Sequence, residues 1–145
     1  MRSITVMVNG VTAHGHFLEE LAPKTCAAIR KILPIEDKGV HVQWSGSAWR
    51  TERDYVLPIG VIENKVDMLE PGDILYYPRI HKIAVCYGIA HWQGPERDAR
   101  GKPYIAHRDV SVFARLEGDL TKFAEASRAV LFQGLKPITI REGAE

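Results

Sequence analysis

Residues 18–34, LEELAPKTCAAIRKILP, constrain the fold more than any other stretch of the chain. Pro23 stands where a first-turn proline is tolerated, because its missing N–H has no partner inside a helix. Ala22, Cys26, Ile29 and Leu33 recur at helical spacing as one apolar stripe, and Lys24, Arg30 and Lys31 lie off it. Pro34 pushes the residue before it out of helical geometry and ends the run. One amphipathic helix, early in a chain whose other segments mostly read as strands, must cover something. The open end of a barrel or the face of a sheet is the simplest candidate.

The strand signals come in order. Ile4, Val6 and Val8 alternate with Thr5 and Met7, and Asn9-Gly10 is a strong two-residue hairpin signal. Val11, Ala13, Gly15 and Phe17 continue as the partner strand, with Thr12, His14, His16 and Leu18 on its other face. After the helix, Asp37-Lys38-Gly39 reads as a turn and Val40, Val42 and Trp44 as an alternating strand that resumes over residues 48–51. Residues 52–70 show weaker patterning. Pro71-Gly72-Asp73 is a turn before a compact apolar strand at 74–77, whose neighbour is expected at 82–87. Residues 90–106 hold Gly94, Pro95, Gly101 and Pro103 and read as a long surface loop. A strand at 110–115, a short helix from an Asp119 cap through Ser127, and a strand around Ile138 and Ile140 complete the order, with a frayed tail expected at 143–145. Short strands with little room for crossover helices predict a mainly β fold: a small closed antiparallel β-barrel with two short helices capping its ends.

With 145 residues, no linker and no internal repeat, one domain over residues 1–145 is expected. Nineteen Lys plus Arg against 18 Asp plus Glu leave a net charge of +1, which gives no reason to expect a nucleic-acid or membrane partner. Met1 leads straight into a strand pattern, so no secretory leader and a cytoplasmic location are expected. Cys26 and Cys86 fall in apolar segments and read as buried thiols. Exposed strand edges of a small barrel would allow a homo-oligomer.

Three separated segments carry a resemblance. Ala22-Pro23-Lys24-Thr25 at a helix start, Pro71-Gly72-Asp73-Ile74-Leu75 leading to Lys82-Ile83-Ala84-Val85-Cys86, and residues 112–118 followed by a helix and Lys136-Pro137-Ile138-Thr139-Ile140 together resemble cyclophilins, in the same order. HVQWSG and GDILYYP are similar to shortened bacterial and archaeal members of that fold. The resemblance implies the small closed barrel with two helices. Cyclophilins ease rotation about a prolyl amide, a barrier of about 18–20 kcal/mol, with the Arg of a Phe-His-Arg strand. Here that strand reads Val40-His41-Val42-Gln43-Trp44, and Ile83-Ala84-Val85 replaces an aromatic of the proline pocket. The isomerase Arg motif is missing, and residual prolyl isomerase or proline-peptide binding stands as an alternative function.

Other constellations suggest a binding site. Trp44, Ser45, Trp49 and Arg50, around Gly46, would form a pocket wall with a guanidinium able to grip a carboxylate by two parallel hydrogen bonds. Tyr77 or Tyr87 would donate a hydrogen bond, and His41 or His81 would act as acid or base. His14, His16 and Glu20 with a distant His81 are similar to a cupin metal set, a further alternative. Solvent-facing strand histidines are the plainer reading, so no metal and no cofactor are expected. The function read from the sequence is a barrel that binds or transforms a small polar metabolite with a carboxylate or amide, with catalysis left open.

Overall fold

A computed structural model describes residues 2–143. Met1 and the tail positions Ala144 and Glu145 lie outside the described residues. Asn9 and Gly10 both take positive φ, 47° and 83°, and the tight turn they form joins β1 (Ser3–Val8) to β2 (Val11–Phe17). Helix α1 (Pro23–Ile32) follows, then β3 (Ile35–His41), β4 (Gly46–Thr51), β5 (Asp73–Tyr77), β6 (Lys82–Ala90), β7 (Gln93–Arg97), β8 (Pro103–His107), β9 (Ser111–Glu117), α2 (Thr121–Gln133) and β10 (Lys136–Glu142). Eight strands close a barrel in the order β1-β10-β3-β4-β6-β5-β9-β2, every neighbour antiparallel. Strands β7 and β8 form a separate two-stranded hairpin. Since each barrel strand is paired on both sides, the free strand edges among the described residues lie on that hairpin, which narrows the edge-pairing route to an oligomer.

The lumen is filled from all sides. Ile4, Val6, Phe17, Ile35, Ile138 and Ile140 point inward at the alternate positions the strand period requires. Trp49, fully buried, is the largest of the plugs, and its indole N–H donates to the Ser127 hydroxyl at 3.0 Å. Helix α2 lies against β1, β2, β3, β4 and β6, so it crosses the barrel mouth. The expected stripe of α1 is also buried: Ala22, Cys26 and Ile29 face the core, and Leu33 is extended ahead of Pro34.

Strands β5 and β6 are buried on both faces. Ile74, Tyr76, Ile83, Val85 and Tyr87 belong to the lumen, whereas Leu75, Tyr77, Ala84 and Cys86 form a second apolar layer on the outside with Leu69, Trp92, Val110 and Val112. A continuous apolar run, rather than strict alternation, is the sequence mark of such a strand. Both cysteines are free and buried. Burial pushes the Cys26 thiol up to about 12 and that of Cys86 higher still, so neither is poised as a nucleophile.

Several sequence expectations are corrected. Asp37-Lys38-Gly39 is no turn but the middle of β3, paired with Ile138, Pro137 and Lys136. Gly39 is there because a Cβ would come within 3.2 Å of the Trp49 ring. The strand accordingly ends at His41, and residues 42–45 leave it. Residues 90–106 are no loop but carry the end of β6, the β7 strand and most of β8. Helix α2 runs past Ser127 to Gln133, with Ser127 turned inward to accept from Trp49 and Val130 buried one turn on. Asp119 lies one residue before the cap position, where its carboxylate accepts from the Thr121 N–H and hydroxyl.

Helix α1 has no capping side chain of its own at Ala22. Glu63, from the irregular segment, supplies one: its carboxylate accepts from the Thr25 N–H and hydroxyl, both at 2.7 Å, and from the Lys24 N–H at 3.2 Å. Burial opposes the charged form, but the hydrogen bonds from Thr25 and Lys24 outweigh it and hold the carboxyl below its ordinary 4.5. A lowered folded value means that Glu63 contributes fully above pH 4.5 and loses that contribution as the pH falls through the folded value. Glu63→Gln should therefore cost about 1 kcal/mol at neutral pH. In denaturant titrations the gap to the parent protein should close as the pH drops below 4.5.

Candidate functional site

The outer face of β5 and β6 needs a cover, and Trp92 and Val110, which flank the β7–β8 hairpin, supply part of it. Ser45 anchors the hairpin base: its hydroxyl donates to the Gln93 carbonyl at 3.2 Å and accepts the Gln93 N–H at 3.1 Å, and its carbonyl accepts the His91 N–H. The Gln93 side-chain amide donates to the Trp44 carbonyl at 2.7 Å. Trp92 meets Tyr77 edge to face, with ring centroids 5.7 Å apart. Arg108, with only 9% of its side chain exposed, closes the hairpin by donating to Glu96 at 2.8 Å and to the Pro95 carbonyl at 2.6 Å.

Between this hairpin and residues 40–45 lies a cavity of about 550 Å³. Its polar wall carries three guanidinium groups, from Arg50, Arg79 and Arg108, and its apolar wall includes Trp44, Trp92 and Tyr77. Glu96 serves two of those charges, since Arg79 approaches the same oxygen at 3.4 Å. Among the described residues Arg50 has no carboxylate within ion-pair distance, and its one hydrogen bond is to the Thr51 carbonyl at 3.0 Å. The rest of its donor fork can therefore serve an anion. Burial raises the Tyr77 hydroxyl above its usual range, and the Arg108 charge pulls only partly against that, so at neutral pH it is a donor.

The structure thus gathers Arg50, Trp44, Tyr77, Ser45 and His41 from the sequence expectations around one cavity. Trp49 is not a wall: it faces the lumen, on the other side of β4 from the hairpin. Tyr87 does not line the cavity either. Its hydroxyl sits 2.7 Å from His41 Nε2, while His41 Nδ1 is 2.8 Å from the Val42 carbonyl. A carbonyl only accepts, so Nδ1 carries the proton and Nε2 accepts from Tyr87 in the neutral ring. Both nitrogens of His41 are occupied within the protein. The Tyr87 ring also lies under the Arg128 guanidinium of α2, 5.6 Å away. His81 is outside the cavity, in the β5–β6 turn with φ of 59°. Ser45 contributes structure, because both roles of its hydroxyl are spent on Gln93.

Trp92, Arg79 and Arg108 are among the cavity residues that sequence reasoning did not assign. The reason is that the hairpin bringing two of them in looks like a loop. His14 accepts from or donates to Thr5 at 3.2 Å, His16 pairs with Glu117 at 3.0 Å, and Glu20 is exposed. Among the described residues, no three His, Cys, Asp or Glu side chains gather as a metal set. No helix among them is long and apolar enough to cross a membrane.

Glu96 is the counter-charge on which the hairpin's attachment depends. Glu96→Ala should cost about 1–3 kcal/mol by leaving the buried Arg108 without its partner. Amide hydrogen exchange should quicken across β7 and β8 while that of β1 and β10 changes little.

The fold has solved relatives. McbB, solved in complex with tryptophan, matches with a TM-score of 0.70 at 16% identity over 98% of this chain, which spans 45% of McbB. A hypothetical protein from Archaeoglobus fulgidus, AF2241, matches with a TM-score of 0.61 at 17% identity, over 98% of this chain and 95% of that one. None of the curated proteins matches in sequence. A family model described as "Protein of unknown function (DUF3830)" matches residues 4–141, and the chain belongs to that family.

Proposed function

We propose that the cavity under the β7–β8 hairpin binds a small polar molecule bearing a carboxylate or amide, held by Arg50. The observation that carries this reading is the charge arrangement: Arg50, Arg79 and Arg108 line one cavity with no Asp or Glu in its lining, Glu96 beside it is used by Arg79 and Arg108, and among the described residues Arg50 has no carboxylate within ion-pair distance. Arg50 can take a carboxylate by two parallel hydrogen bonds in a partly dry site, where such bonds are stronger than in water. Trp44 and Trp92 offer flat apolar walls, and Tyr77 offers a donor hydroxyl. McbB, similar in fold, is known in complex with tryptophan, a small molecule that carries a carboxylate, and this is in keeping with the reading. With both ring nitrogens engaged, His41 acts here by holding the 40–42 segment in place, and the function is binding.

A second reading, a cyclophilin-like barrel that retains proline-peptide binding, is favoured by one observation. Arg50 stands opposite Val40 in the β3–β4 ladder, so a guanidinium rises beside the strand that lacks one of its own. A protease-coupled assay on a proline peptide should show no rate above background if the first reading holds, and a rate abolished by Arg50→Ala would support the second.

The first reading is tested by calorimetry with small carboxylates and their methyl esters. The acids should bind and the esters should not. Arg50→Ala should weaken the acids roughly ten- to a hundredfold, the loss of a charge-assisted pair worth about 1.5–3 kcal/mol. Equal binding of acid and ester, or an unchanged affinity in Arg50→Ala, would overturn it.

A further inference from the structure

Residues 40–44 form a ridge with a depression on either side. One side is the arginine-lined cavity. The other is a hollow of about 660 Å³ bounded by the same five residues and by the end of α2. The two differ in chemistry. The second hollow is lined by no Lys, Arg, Asp or Glu; its floor and far wall are Val130, Leu131 and Leu135, with Gly134 between them. Leu131 is 50% exposed, Leu135 46% and Trp44 47%, although each is a large apolar side chain. Side chains of this kind gathered along one trough mark a surface that something apolar covers.

Charge and continuity select the occupant. The guanidinium groups stand at one end and none at the other, and Trp44 borders both hollows. A single molecule that is anionic at one end and apolar at the other matches this division. Two separate occupants would have to meet along the shared ridge. We propose that the ligand is an amphipathic carboxylate, with its head at Arg50 and an aliphatic tail that crosses the ridge beside Trp44 to lie against Leu131 and Leu135. This rests on the carboxylate reading of the first cavity and adds the class of molecule: an acyl chain rather than a compact polar metabolite.

The test is a calorimetric series of butyrate, hexanoate, octanoate and decanoate, kept below micelle formation, on the whole protein. Affinity should climb by up to about fourfold for each methylene that leaves water. In a Leu131→Ser, Leu135→Ser double variant, both positions being at the surface, the series should flatten to the butyrate level with a far-UV spectrum like the parent's. In Arg50→Ala every member should weaken by a similar factor. Length-independent binding in the parent protein would overturn the proposal and leave the carboxylate cavity standing. Absence of binding by every acid would overturn both. A climb that survives the double variant would place the tail elsewhere and overturn the proposal. So would a parent protein that is dimeric and a double variant that is monomeric, with no length dependence in either; that result would assign the trough to a second copy of the chain.

Discussion

Apolar side chains on both faces of β5 and β6 are the constraint from which the outer structure follows. A barrel needs only its inner face dry. Here Leu75, Ala84 and Cys86 make the outer face as apolar as the lumen. Water on that face would cost the hydrophobic free energy of a whole second layer. Leu69 from the irregular segment covers one side of it, and Trp92 and Val110, flanking the hairpin, cover another. The residues at the two ends of the hairpin thus cover apolar sheet, and the start of β7 stands beside them as a wall of the cavity. An isolated two-stranded hairpin has little stability of its own. This one is tied to the barrel by Ser45, by the Glu96–Arg79 pair and by the Trp92–Tyr77 contact.

The same attachment sets the electrostatics of the site. Arg108 is buried at the base of the hairpin, just after β8, and it needs a counter-charge there. Glu96 lies on the strand that pairs with β8, close enough to serve both Arg108 and Arg79. With that carboxylate occupied twice, the guanidinium of Arg50 is left facing the cavity. A structural need, fixing a hairpin, therefore produces a binding property, a surplus of positive charge under a partly closed roof.

Local chemistry decides which parts of this were legible in the sequence. The first hairpin was readable because Asn-Gly has one favoured geometry, and the helix from Pro23 because proline and an apolar stripe agreed. Asp37-Lys38-Gly39 has the composition of a turn, but Gly39 answers to the bulk of Trp49 on the neighbouring strand β4 and of Ile138 on β10, contacts no local window contains. Strands β7 and β8 showed no alternation because β8 is exposed on almost its whole length. A signal was present all the same. Asp98, whose carboxylate accepts the Arg100 and Lys102 N–H groups, with Gly101 after it, is turn chemistry between two strands. For the site, Arg50 and Trp44 were legible by type. Trp49 was assigned to the wrong side because two tryptophans five residues apart do not reveal where the strand between them bends away. Trp92 and Arg108 depended on recognising the hairpin.

The strand that closes the barrel is the last in chain order. Strand β10 lies between β1 and β3, so its two partners are synthesised long before it. A nascent chain on the ribosome that has already made α2 still has a lane missing from its wall. Through that lane Val6 and Ile35 lie open to solvent and two rows of backbone groups have nothing to bond. Edges of that kind recruit strands from other chains. Until β10 is in place, the unpaired backbone rows of β1 and β3 are the edges open to a strand from another chain.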